Sequence, residues 1–165
     1  MTPFKRILHS ARRIAFGLVM LGCLAYAQDE AASFPQPSSD LAPQDVVRIQ
    51  VEALGNNDDP YPDAGIEITF AFASPSNQQV TGPLERFITL VKNPTYRDMI
   101  NHIGADYGPV EIIGERALQS VVLTTPDGRR VGYLFGLSLQ RGNAFEGMWM
   151  TDSVVRFEVP DSDTV

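Results

Sequence analysis

The chain has 165 residues, 44% of them hydrophobic and 20% charged, which is typical of a globular protein with one domain and a short targeting segment. The formal net charge of −7 argues against nucleic acid as a partner, because nucleic-acid binding depends on Lys and Arg side chains that neutralise phosphates. The single cysteine, Cys23, excludes an intrachain disulfide and a site built from several thiolates.

The first 27 residues have the organisation of a secretory signal peptide. Basic residues stand near the start, an uncharged apolar run extends from Ile14 to Leu24, and Ala25 and Ala27 place small residues where signal peptidase reads them. The apolar run is shorter than the roughly 20 residues that a membrane-spanning helix needs. We therefore expect cleavage after Ala27 and a periplasmic or secreted product; a lipid attached to Cys23 is the alternative.

Three segments are predicted after the leader. Residues 28–39 contain prolines and serines but few large apolar side chains, which is typical of a flexible linker. Residues 40–160 are predicted to form the folded domain, and residues 161–165 a disordered tail.

A helix is predicted from Pro43 to Gly55. Proline suits the first helical position, where no backbone hydrogen bond is lost, and Asp45 in the first turn complements the helix dipole. Apolar residues and one glutamine recur at helical spacing: Val46, Val47, Ile49, Gln50, Ala53 and Leu54. The acidic loop from Asn56 to Asp63 lacks the ligand spacing of a calcium site, so a solvated loop is expected.

The next segment has two interpretations. Its large apolar residues alternate with small or polar ones, which is typical of a strand; they are Ile66, Ile68, Phe70 and Phe72. The same residues also pair at positions i and i+4, which permits a helix buried on a broad face. Periodicity alone leaves both interpretations open, and Ser74-Pro75 is predicted to end the element in either case.

A further helix is predicted after Thr81, which is a candidate N-cap. Its apolar stripe consists of Leu84, Phe87, Ile88 and Val91. Asn93-Pro94 is predicted to end this helix, and residues 96–103 are predicted to add one short helical turn.

The C-terminal part of the chain is predicted to form a β-meander. A run rich in β-branched residues extends from Val110 to Thr125 and ends at the turn Pro126-Asp127-Gly128. The return strand places apolar residues at every second position, so one face must be buried; they are Val131, Tyr133, Phe135, Leu137 and Leu139. After a break at Arg141–Gly147, a last strand is predicted from Met148 to Val159.

Several motifs recur in order along the domain. They are Phe72-Ala73-Ser74-Pro75, Thr81-Gly82-Pro83-Leu84-Glu85-Arg86-Phe87, Asn93-Pro94, Asp127-Gly128-Arg129, and Trp149-Met150-Thr151-Asp152 followed by Val154. With these motifs the chain resembles, from Leu41 to Val159, a bacterial domain-of-unknown-function family, number 4864. That family is similar in architecture to the nuclear transport factor 2-like and ketosteroid isomerase-like cone.

The resemblance implies an α+β fold in which N-terminal helices pack on a curved antiparallel sheet. It also implies that Gly65 to Ala73 is helical, which decides between the two interpretations of that segment. It implies no activity, because this architecture hosts enzymes, binding modules and scaffolds alike.

A curved sheet places a pocket on its concave side, where side chains from strand ends and helices meet. The catalytic candidates are Asp152, His102 and Tyr133. A carboxylate on an apolar strand is a candidate general base, although a buried acid that accepts structural hydrogen bonds is the alternative. The ligand-binding candidates are Trp149, Tyr96, Tyr107 and Arg86; for each, packing or surface pairing is the structural alternative.

No metal site and no cofactor are predicted. His102 is the one histidine that export leaves, and a lone histidine does not define a metal site. The glycines lack the spacing of a phosphate-binding loop, and no nucleophile elbow is present.

Two functions are compatible with these features. The first is non-catalytic binding of a small apolar or amphipathic ligand, or of a protein partner. The alternative is a cofactor-free isomerase, dehydratase or hydrolase that uses a pocket carboxylate with a tyrosine or a histidine. No stable membrane span is expected after cleavage, and the open face of the sheet could support a homodimer.

Overall fold

In a computed structural model, residues 34–160 form four helices followed by four strands. The helices α1 to α4 span Pro43–Gly55, Ala64–Ala71, Pro75–Thr81 and Leu84–Val91, and a short 3-10 helix spans Arg97–Met99. The strands β1 to β4 span Gly104–Ile113, Arg116–Thr124, Arg130–Leu139 and Trp149–Glu158. The predicted leader, the predicted tail and residues 28–33 of the predicted linker lie outside the residues that the structure describes.

The expected α+β class is confirmed. The four strands form one curved, unclosed antiparallel sheet in the order β1-β2-β3-β4, and the helices precede it in the chain and pack on it. Within residues 34–160, no helix combines the length and the apolar character that crossing a membrane requires.

The first helix has the predicted bounds. The backbone N–H of Ala42 donates to Asp45 Oδ2 at 3.0 Å, so the acid of the first turn closes the helix start. The side chains of Val46, Val47, Val51 and Leu54 are at most 1% exposed and form one side of the core.

Helix α2 confirms the helical interpretation of the ambiguous segment. Ile66 and Phe72 are fully buried, and the rings of Phe70 and Phe87 lie 5.1 Å apart between α2 and α4. Because α2 packs against both α1 and α4, its apolar residues must cover a broad arc. A helix buried in this way produces apolar alternation that periodicity analysis assigns to a strand.

The predicted N-cap at Thr81 is wrong. Thr81 is the last residue of α3, a helix that the sequence analysis missed. Ser74 is the N-cap of α3, and its Oγ accepts from the backbone N–H of Asn77 at 3.2 Å. Pro75 occupies the first helical position, so the Ser74-Pro75 pair that ends one element also begins the next.

The run from Val110 to Thr125 is two strands and not one. β1 ends at Ile113, and a tight turn through Gly114, whose φ is +61°, leads into β2 at Arg116. The predicted return strand is confirmed as β3, whose Val131, Tyr133, Phe135 and Leu137 are buried against the helices while Leu139 is half-buried.

Thr151 at the start of β4 joins the sheet to the helices. Its backbone N–H donates to Phe72 O at 2.9 Å, and its carbonyl accepts from the backbone N–H of Ser74 at 2.8 Å, which makes a parallel bridge centred on Ala73. The side chain of Thr151 accepts from Gln50 Nε2 of α1 at 2.7 Å. The segment between α2 and α3 therefore covers part of the free edge of β4.

The close approach of α1 and α2 predicts the effect of Gly65→Ala. Alanine is the better helix former by about 1 kcal/mol, but a Cβ at Gly65 would collide with the carbonyl oxygen of Ala53. We expect this substitution to lower the free energy of unfolding by about 1–3 kcal/mol, because overpacking outweighs helix propensity. Urea denaturation measures the change. The control is Gly104→Ala, whose Cβ would meet Thr124 at an ordinary 3.6 Å, and a stabilised Gly65→Ala variant would contradict the prediction.

Candidate functional site

A cavity of about 450 Å³ lies between the helices and the inner face of β3 and β4. Most of its wall is apolar and comes from α1, α4, the 3-10 helix and β3: Leu54, Phe87, Leu90, Val91, Met99 and Phe135. Helix α3 closes one side, where Val80 is 70% exposed and lies at the boundary with solvent. The cavity has the size and the composition of a typical small-molecule site.

Three polar residues of the wall are buried, Gln50, Thr69 and Thr151; Thr69 Oγ1 donates to Gly65 O, and Gln50 and Thr151 form a hydrogen-bonded pair. Gln50 and Thr151 are 0% and 2% exposed. Gln50 Nε2 donates to Val46 O at 3.0 Å and to Thr151 Oγ1 at 2.7 Å. Gln50 Oε1 is buried and has no hydrogen-bond partner among residues 34–160.

A β-bulge places Asp152 beside the mouth of the cavity. Gly136 of β3 pairs with Ser153, and the next residue, Leu137, pairs with Thr151, so Asp152 is the extra residue of β4. The Asp152 side chain is exposed and lines the cavity. None of the ion pairs found in residues 34–160 involves this carboxylate.

Asn77 of α3 supports the same region. Its Nδ2 donates to Thr151 O at 3.1 Å, and its own Oδ1 and backbone carbonyl accept from Thr81 Oγ1 at 3.1 and 2.9 Å. Asn77 therefore joins α3 to Thr151 of β4, the residue that also accepts a hydrogen bond from Gln50.

The structure does not bring the three catalytic candidates together. Asp152 lines the cavity, whereas His102 and Tyr133 are not among its lining residues. His102 packs against Gly55, with Nδ1 2.9 Å from Met99 O, and the Tyr133 hydroxyl donates to Thr95 O at 2.9 Å.

Tyr96 is the one predicted ligand-binding residue that lines the cavity. Its hydroxyl donates to Val154 O at 3.2 Å, and no hydrogen bond joins it to Asp152. Trp149 is half-buried against the core, Arg86 is exposed, and the Tyr107 ring centroid lies 5.7 Å from the guanidinium carbon of Arg48.

Three residues of the site, Gln50, Thr151 and Asn77, are not predicted as site residues from the sequence. A signal existed for Gln50, because this amide stands within the apolar stripe of α1, at a position where a core residue is expected. No such signal marked Asn77, since α3 itself was not predicted. Among residues 34–160 no group of three or more His, Cys, Asp or Glu side chains is arranged to hold a metal ion.

A model of the family described as "Domain of unknown function (DUF4864)" matches residues 37–164. No curated protein and no solved structure matches the chain. The match covers more than half of the chain and includes all the helices and strands of the described part.

The buried hydroxyl of Tyr133 predicts a pH dependence of stability. Burial raises the pKa of Tyr133 from 10.0 to about 12. The folded protein therefore holds this proton more tightly than the unfolded chain, and the stabilisation is present below pH 10 and is lost as pH rises towards 12.

We expect Tyr133→Phe to lose about 1 kcal/mol of unfolding free energy at pH 7, because the hydrogen bond to Thr95 O is absent. As pH rises from 10 towards 12, the difference in unfolding free energy between the parent protein and Tyr133→Phe should shrink and then change sign. Urea denaturation of both proteins across this range measures the difference, and the other tyrosines, which both proteins contain, cancel in the comparison. A difference independent of pH would contradict the prediction.

Proposed function

Because the chain belongs to the DUF4864 family, whose description assigns no activity, we propose a function from its own cavity: non-catalytic binding of a small apolar or amphipathic ligand. The observation that carries this proposal is the cavity of about 450 Å³, with its mostly apolar wall and its few buried polar groups. Ligand sites are commonly apolar cavities of roughly 300–1,000 Å³ with a few polar groups that orient the ligand.

The geometry gives less support to catalysis. A general base acts with an acid or an orienting group within hydrogen-bond reach of the reacting atoms. Asp152 has neither His102 nor Tyr133 beside it in the cavity, and Tyr96 uses its hydroxyl on a backbone carbonyl. Binding requires only the shape and the apolar wall.

The proposal includes export and a related architecture. The leader over residues 1–27 favours a periplasmic or secreted protein that meets its ligand outside the cytoplasm. The order of helices before a curved antiparallel sheet, with a cavity between them, supports kinship with the nuclear transport factor 2-like cone.

Native mass spectrometry of the protein purified from its own cell envelope tests the binding and the export together. The spectrum should contain a species heavier than the chain by the mass of a small molecule that organic solvent removes. The mass of the chain itself should correspond to cleavage after Ala27. A full-length chain would contradict the proposed export but would not contradict the proposed ligand binding.

Charge at the cavity mouth should weaken binding of a neutral apolar probe such as N-phenyl-1-naphthylamine. Val80→Asp places a carboxylate where the cavity meets solvent, and we expect the dissociation constant to rise about tenfold, or by roughly 1.4 kcal/mol. Fluorescence titration measures this constant.

The matched control is Ile103→Asp. Ile103 is 68% exposed, close to the 70% of Val80, and does not line the cavity. This variant should bind the probe as the parent protein does. Equal affinity of the two variants, or no saturable binding by the parent protein, would refute the proposed site.

A second candidate function is association with a protein partner, in the form of a homodimer through the outer face of the sheet. Four apolar side chains on β2, β3 and β4 support it, since they share that face and are 36–56% exposed: Leu118, Leu134, Val155 and Phe157. Contiguous exposed apolar residues of this kind are typical of interaction surfaces.

Leu134→Glu tests this second candidate. Leu134 lies directly opposite Val155 within the exposed group, so a carboxylate there would be desolvated in an interface. We expect the parent protein to be a dimer by light scattering at micromolar concentration and the variant to be a monomer. Ile103→Glu is the control and should remain dimeric; a monomeric parent protein would contradict the homodimer.

A further inference from the structure

We propose that the cavity selects a neutral amphiphile whose polar end is a hydroxyl group, and that this hydroxyl binds between Gln50 and Thr151. This inference rests on the proposed ligand-binding function and names the chemical class of the ligand. Three features of the cavity carry it: the orientation of the Gln50 amide, the free hydrogen of the Thr151 hydroxyl, and the absence of basic side chains from the described part of the lining.

The hydrogen bonds of Gln50 fix the orientation of its amide. The carbonyl of Val46 can only accept, so the amide nitrogen must be the atom 3.0 Å from it. The same nitrogen donates to Thr151 Oγ1, and both hydrogens of Nε2 are thereby used. The oxygen of the amide is left as a buried acceptor with no donor in the described part of the chain.

A buried acceptor without a donor destabilises the protein unless another molecule supplies one. Gln50 is 0% exposed and belongs to the cavity wall, so a molecule inside the cavity is in a position to do so. The ligand therefore gains affinity if its polar end carries an O–H or N–H group.

Thr151 adds the complementary group. Its Oγ1 accepts from Gln50, so its own hydroxyl hydrogen remains available to donate, and within residues 34–160 no acceptor takes it. The buried wall thus contains an acceptor and a donor on two side chains that are hydrogen-bonded to each other. A single hydroxyl group on the ligand can donate to Gln50 Oε1 and accept from the Thr151 hydroxyl, so one oxygen atom satisfies both groups.

The charges around the cavity oppose an acidic ligand. Among residues 34–160, no Lys, Arg or His lines the cavity, and the one charged lining residue is Asp152. A carboxylate inside the cavity would lose its hydration without a counter-charge and would be repelled by Asp152. It also has no hydrogen to give to Gln50 Oε1.

Three ten-carbon compounds separate these contributions by displacement of N-phenyl-1-naphthylamine. 1-Decanol donates and accepts, its isomer methyl nonyl ether only accepts, and decanoate at pH 7 is charged. We expect 1-decanol to bind at least about tenfold more tightly than either of the others. An equal affinity of the alcohol and the ether, or a tighter affinity of decanoate, would overturn the hydroxyl proposal while leaving ligand binding itself intact.

Failure of the underlying function has a different signature. If neither the probe nor any of the three compounds binds, the cavity is not a ligand site, and both proposals fail. The wild-type protein gives this result without any substitution, so a variant that fails to fold does not obscure it.

Variants at the polar pair then assign the preference to its residues. Gln50→Met keeps the approximate volume and removes the amide, and we expect the alcohol to lose its advantage over the ether while the ether binds within about twofold as before. Thr151→Ser retains the hydroxyl and should retain the advantage, whereas Thr151→Val should reduce it. An unchanged preference in Gln50→Met would overturn the assignment to Gln50.

Discussion

The contact between Thr151 and the helical layer is the constraint on which the rest of the structure depends. Through its backbone and side chain, this residue binds Phe72, Ser74, Asn77 and Gln50, so α1, the segment before α3, and α3 itself all meet at one point of β4. Thr151 is 2% exposed, and these hydrogen bonds are therefore protected from water. Thr151 is part of the cavity wall at this point, and apolar residues of α1, α4 and β3 form most of the rest of the wall.

The bulge at Asp152 determines which residues of β4 face that cavity. Thr151 lies on the inner face of the sheet. If β4 were a regular strand, Val155 and Phe157 would lie on this inner face as well, and Val154 would lie on the outer face. The extra residue reverses the alternation, so Val154 lines the cavity, and Val155 and Phe157 lie on the outer face. One inserted residue thus creates both the inner wall and part of the exposed apolar group on the opposite face.

The sequence predicted those parts of the fold in which local chemistry and burial agree. Helix α1 is predicted by the proline at its start, the glycine at its end and its apolar stripe. Strand β3 is predicted by the strict alternation of its apolar residues. Helix α3 has no buried residue, so its sequence shows no apolar period, and Ser74-Pro75 ends one element and begins the next without a pattern that distinguishes the two roles. The β1–β2 turn was missed because it interrupts an apolar run by only two residues.

The candidate site could be foreseen only in part, because it depends on contacts between residues far apart in the chain. Gln50 and Thr151 are separated by 101 positions, and although Thr151 belongs to the motif Trp149-Met150-Thr151-Asp152, no sequence pattern pairs it with Gln50. Gln119 illustrates why a buried amide alone is not a signal: its Oε1 also lacks a protein partner among residues 34–160, yet it does not line this cavity. What distinguishes Gln50 is that its acceptor, the hydroxyl of Thr151 and the apolar cavity occupy the same place. An apolar side chain at position 50 would avoid the cost of about 1–3 kcal/mol that an unsatisfied acceptor carries, but it would also lose the hydrogen bond to Thr151 that joins α1 to β4. The glutamine therefore combines a structural contact with an open acceptor, and the proposed ligand would supply the donor that this acceptor lacks.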